Sequence, residues 1–251
     1  MFHALVTVML LAAPVASADE RVTVPAGRFA PLFGLDVGQR DFPVAAFQLA
    51  RRPVTRAQFL TFLSTHPKWA RRQVNRALAD ERYLDALNGE HPASPVTQVS
   101  YFAASAYCEA QGGRLPSTLE WEYAAAADET RADASRSPDF VQRILDWYGR
   151  PNGPDDLQQP GSPRNVYGVE ALHGLVWEWT SDFNALFVSG DNRQDGDASA
   201  KFMCGSGSTG SANREDYAAF MRYALRSSLK PNSTLPRLGF RCAWDVKETS
   251  P

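Results

Sequence analysis

The stretch from Asn165 to Phe183, NVYGVEALHGLVWEWTSDF, constrains this chain more than any other. Tyr167, Trp177, Trp179 and Phe183 stand among Gly168, Gly174 and the carboxylates Glu170, Glu178 and Asp182. Their spacing follows neither the 3.6-residue period of an amphipathic helix nor the two-residue period of a strand. Polar groups that end up buried need partners, so contacts from elsewhere must hold this segment in shape. Three other blocks share its mixed character: GGRLPSTLEWEYAAAA (Gly112–Ala127), KFMC (Lys201–Cys204) and RLGFRC (Arg237–Cys242).

The N-terminus sets the compartment. Residues 1–18 carry an apolar run from Ala4 to Ala13 and end in Ala16-Ser17-Ala18, although His3 is the nearest they come to a basic n-region. The run is too short to span a bilayer, and the ending suits signal peptidase, so a secretory signal cut before Asp19 is expected. Residues 19–251 then form one domain, periplasmic or secreted and without a membrane span. With 26 basic and 28 acidic residues the chain carries no electrostatic footprint for nucleic acid. Seventeen prolines and seventeen glycines point to many turns. Three cysteines, Cys108, Cys204 and Cys242, leave one thiol over in an oxidising compartment.

Along the chain, Arg21–Gln48 alternates apolar and polar residues between Pro and Gly breaks and reads as short antiparallel strands. Thr55 caps a helix whose apolar face is Phe59, Leu60, Phe62 and Leu63, stopped by Pro67. Lys68–Arg82 is a basic segment with helical spacing, expected as a solvated face. Ser100 caps a helix through Tyr107 and Cys108, and Ser117 with Glu120 forms a capping box for a second helix, with Trp121, Ala124 and Ala125 inward. Asp128–Ser162 reads as a polar surface excursion around the apolar patch Ile144–Tyr148. Ser189–Ala200 reads as an acidic loop and Gly205–Asn213 as a flexible one. A helix from Asp216 carries Arg222 and Arg226, and LGFRCAWDV closes the chain as strand.

The blocks PVTRAQFLTFL, PVTQVSYFAASAYCEAQGGRLPSTLEWEYAAA, NVYGVEALHGLVWEWTSDF and LGFRCA, in this order, resemble the formylglycine-generating enzyme, or sulfatase-modifying factor, family. The resemblance covers nearly the whole mature chain. It implies an α+β, loop-rich single domain related to the C-type lectin fold. It also implies a disulfide between Cys108 and Cys242, and a calcium ion held by carbonyls of His173, Gly174 and Val176 and the carboxylate of Glu178. Oxygen ligands suit that hard cation, although Leu175 replaces the family's usual asparagine.

The active site is where the chain departs from its relatives. Family enzymes hold Cu(I) between two cysteines, a soft-ligand site. Cys204 matches the first, and a Gly/Ser-rich stretch without cysteine stands where the second belongs. Lys201 and Arg237 replace a serine and an asparagine of the family's catalytic set. Cys204 is then a buried inert thiol, a thiol activated by Lys201 or Arg237, or one sulfur ligand of a Cu(I) completed by another group. Residues 202–232 most resemble the NirV-type branch, named for its association with copper nitrite reductase. That implies a periplasmic accessory protein that supports or matures a partner, binding a protein or peptide. A Cys204-dependent oxidoreductase and a non-catalytic lectin-fold binding module are the alternatives. Arg222, Arg226 and Trp179 are candidates for holding a carboxylate ligand, and the two arginines serve equally as salt-bridge braces of the core.

Overall fold

Four short strands open the chain because its apolar residues alternate there. In the computed structural model, which describes residues 20–31, 41–88, 91–150, 163–184 and 214–246, β1 (Arg21–Val24) pairs antiparallel with β4 (Phe47–Ala50), and β2 (Gly27–Phe29) with β3 (Phe42–Val44). β4 is flanked on its other side by β7 (Ala243–Asp245), with Leu49 opposite Ala243. The central strand buries Phe47, Leu49 and Ala50, as a strand covered on both edges should.

Helix α1 (Arg56–Thr65) starts at a reciprocal capping box, Thr55 with Gln58, and buries Phe59 and Phe62. Leu60, expected on that face, is exposed. Helix α2 (Tyr101–Ala110) is capped by Ser100, and α3 (Thr118–Ala125) by the Ser117–Glu120 box. From Trp121 to Ala125 every residue of α3 is buried, so the helix lies inside the molecule and not on it.

Two expectations are corrected. Residues 70–88 form successive turns after a short 3₁₀ turn (Pro67–Trp69), not a helix. Asn75 accepts the N–H of Ala77 and Asp80 that of Arg82 on their side chains, local bonds that compete with a helical ladder. Trp69, Val74, Ala79 and Tyr83 still reach the core. The polar stretch after Asp128 contains helix α4 (Pro138–Tyr148), with Phe140, Val141, Ile144 and Trp147 buried. It packs against helix α5 (Arg214–Ser228), where the Tyr148 hydroxyl donates to the carbonyl of Ala218 at 3.0 Å.

Cys108 on α2 and Cys242 just before β7 are joined in a disulfide and wholly buried, 134 residues apart in sequence. Around it lies the larger core, with Phe59, Tyr107, Trp179 and Phe240. A second core forms under β1 and β4 against Trp121 and Ala124 of α3. β5 (Trp177–Glu178) and β6 (Leu238–Gly239) pair in parallel. β6 also lies close against the backbone at Val96: a Cβ on Gly239 would stand 2.6 Å from the carbonyl oxygen of Val96. The result is an α+β domain with little regular structure for its size, in keeping with its Pro and Gly content.

Candidate functional site

The parallel pairing of β5 with β6 brings the HGLVWEW turn to the RLGFRC segment. Glu178 leaves β5 into the interior, and Arg241, just past β6, meets it with Nε and Nη2, each 2.8 Å from a carboxylate oxygen. Trp121 Nε1 of α3 donates to the same carboxylate at 2.7 Å. The other Arg241 N–H groups reach the carbonyls of Ala50, Arg51, Glu170 and Ala171. One guanidinium thus ties β4, the 170–171 turn and β5 together. The residues do not fit a calcium ion with Glu178 as its carboxylate ligand. The groups around that carboxylate are hydrogen-bond donors, whereas calcium needs oxygen ligands. Gly174 sits in the turn before β5 with φ +99°, a conformation that favours glycine.

A second buried acid lies beside the first. Glu122 of α3 accepts from Nε and Nη2 of Arg222 and from Nη1 of Arg226 on α5, the contacts spanning 2.6–3.0 Å. Burial by itself pushes the Glu122 carboxyl up, but the two guanidiniums outweigh it and draw it down to about 2. Arg226 also lies over the Trp121 ring, 4.6 Å from its centroid. Arg222 and Arg226, candidates either for holding a carboxylate ligand or for bracing the core, are therefore braces with an internal carboxylate of their own. Trp179, the third candidate, is wholly buried, with its indole N–H donated to Val99 O at 2.8 Å.

His173 adds a neutral imidazole. Its Nε2 stands 2.9 Å from the carbonyl of Ala125, which can only accept, so Nε2 carries the proton and Nδ1 a lone pair. That Nδ1 has no hydrogen-bond partner. Burial and the nearby charge of Arg222 hold the ring well below the usual histidine range, at about 3. The ring lies edge-on to Trp121 and Phe140. Next to it, a cleft of about 310 Å³ opens between α4 and the turn of residues 165–174.

Cys204 and Lys201 lie outside the described residues, as do the acidic loop 189–200 and the Gly/Ser-rich loop 205–213. Arg237 is placed at the entry to β6, where its carbonyl accepts the N–H of Trp177 at 2.8 Å. Sequence reasoning did not single out Glu122 and Arg241. The available signal was a charge inside an otherwise apolar run, in WEYAAAA and in GFRCAW, which marks a buried ion pair.

Residues 9–246 match the family model described as the sulfatase-modifying factor enzyme 1-like domain. The chain is 33% identical over 176 residues to a formylglycine-generating enzyme of Streptomyces coelicolor, covering 63% of this chain and 55% of that protein. It is 32% identical over 165 residues to the inactive C-alpha-formylglycine-generating enzyme 2 of Bos taurus, covering 59% and 50%. With the hercynine oxygenase of Mycolicibacterium smegmatis it shares 28% identity over 163 residues, covering 55% and 37%. The chain thus spans 37% to 55% of the lengths of these relatives. The solved structure of PvdO from Pseudomonas aeruginosa aligns over 90% of this chain and 94% of that one, at 20% identity and a TM-score of 0.46. A family match that runs from residue 9 to residue 246, over a loop-rich α+β domain, means that this chain belongs to the sulfatase-modifying factor (FGE-sulfatase) family.

Proposed function

We propose that this protein is an exported accessory member of its family, which supports or matures a partner enzyme by binding it and performs no two-cysteine copper oxidation. The observation that carries this reading is the cysteine count set against the disulfide. The whole chain has three cysteines and Cys108 is joined to Cys242, so Cys204 is the one thiol left. A Cu(I) ion held between two thiolates needs a second free cysteine, and the other two are joined in the disulfide. The Bos taurus relative, whose name declares it inactive, is a precedent for the same frame without the activity. The NirV-type likeness of residues 202–232 and the signal-like N-terminus support a periplasmic setting, with a copper nitrite reductase as the partner to try first.

Cu(I) titration of the mature protein beside a Cys204→Ser variant tests the negative half. The expected result is no stoichiometric copper in either; one-to-one copper lost in the variant would restore the second reading, a Cys204-dependent oxidoreductase, which rests on retention of that one thiol. The positive half is tested by producing the reductase with and without this protein. Equal copper content and activity in the two preparations would overturn the accessory role and leave a lectin-fold binding module.

A further inference from the structure

The copper and disulfide expectations fall elsewhere in the chain, and the calcium expectation used backbone carbonyls of the 173–176 turn and the carboxylate of Glu178. The cleft between α4 and that turn therefore has no assigned occupant. Its volume, about 310 Å³, is at the lower end of the range of roughly 300–1,000 Å³ typical of small-molecule sites. Its chemistry is divided. Phe140, Ile144 and Trp147 of α4 and Leu172 of the turn form an apolar wall. Charged groups of α4 and the residues just after it form the rim.

On that rim two ion-pairing groups behave differently. Arg143 and Glu129 are closed on each other through two hydrogen bonds of 2.7 and 3.0 Å. Asp146, in the last turn of α4, and Arg150, just past its C-cap Gly149, are an acid and a base close in sequence. Yet among the described residues the Arg150 guanidinium has no hydrogen-bond or ion-pair partner, and Asp146 accepts only the side-chain amide of Gln142, at 2.7 Å. Both are exposed.

An occupant that complements all of this carries a carboxylate, a cationic N–H donor and an apolar body of modest size. We propose that the cleft binds a free α-amino acid with an apolar side chain, its carboxylate on Arg150, its ammonium on Asp146 and its side chain against Phe140, Ile144 and Trp147. The site is independent of Cys204 and of the accessory role, and stands or falls by itself.

Calorimetric titration of the full mature chain with L-leucine and L-phenylalanine tests it, with N-acetyl-L-phenylalanine and L-phenylalaninamide as controls that each lack one charge. The free amino acids are expected to bind saturably, and either blocked form to bind at least about tenfold more weakly, about 1.4 kcal/mol. Arg150→Gln and Asp146→Asn are expected to weaken binding by a similar factor while leaving the thermal midpoint unchanged, since both side chains are on the surface. No saturable binding up to about 10 mM, roughly 3 kcal/mol of affinity or less, would overturn the proposal. So would equal binding of the blocked forms, which would mark a peptide groove, or binding indifferent to both substitutions.

Discussion

Arg241 and Glu178 face each other through two hydrogen bonds of 2.8 Å, with both side chains fully shut off from solvent. Charge in such a place is costly unless paired, and the pair holds because the guanidinium also reaches four backbone carbonyls. Arg241→Leu, which leaves Glu178 buried and unpaired, is expected to lower unfolding free energy by about 3–5 kcal/mol. The double substitution Arg241→Leu with Glu178→Leu should recover part of that loss. Urea denaturation of the wild type and the two variants measures both; an Arg241→Leu protein as stable as the wild type would show that the pair is not the brace described.

Glu122 predicts an acid limb. Its folded carboxyl titrates at about 2, below the ordinary glutamate value of about 4.3 in the unfolded chain. A depressed folded value means stabilisation that is complete above the unfolded value and is lost as pH falls toward the folded one. On the order of 3 kcal/mol should therefore disappear between about pH 4.3 and 2. Glu122→Gln should be destabilised at pH 7 and should lack this part of the acid slope. Denaturation series at several pH values would reveal an unaltered slope if the assignment is mistaken.

His173 acts in a neighbouring window. Its ring stays neutral in the folded protein down to about 3, whereas a histidine in the unfolded chain takes up its proton at about 6.5. Stability is full above about pH 6.5 and falls as the pH drops below it, because the unfolded state then binds the extra proton. His173→Phe keeps a ring packed edge-on to Trp121 and Phe140 and removes the titration. Its stability is expected to vary less between about pH 6.5 and 4.5 than that of the wild type, a difference readable from melting temperatures.

The disulfide predicts both a stability and a count. Closing a loop with a sequence separation of 134 restricts the unfolded chain by about 5 kcal/mol in the entropic account. The Cys108→Ser, Cys242→Ser double variant should lose much of this. The intact protein, denatured without reductant, should show one titratable thiol per chain, and three after reduction. Three before reduction would refute the pairing.

Local structure was legible wherever a few neighbouring residues decide it. The Thr55 and Ser117 capping boxes, the Ser100 cap and the short antiparallel strands all rest on contacts within a few positions or on simple alternation. Helix α4 was missed because Asp, Pro and Ser around it masked an apolar spacing at 140, 141, 144 and 147 that was present all along. The 70–88 segment misled in the opposite direction. Its apolar spacing suits a helix, but the side chains of Asn75 and Asp80 hold local turns, and Asp80 is further drawn to the backbone N–H of Thr234.

Sequence by itself determined the family, the helix starts, the pairing implied for Cys108 and Cys242, and the lack of a second thiol beside Cys204, since each of these is a matter of residue identity and order. Only the tertiary structure decided the partners of the buried charges. Glu178 with Arg241, and Glu122 with Arg222 and Arg226, are separated by 63, 100 and 104 residues. No local pattern encodes which carboxylate a distant guanidinium will meet. Burial settles it, because a charge withdrawn from water must find its opposite within hydrogen-bonding reach.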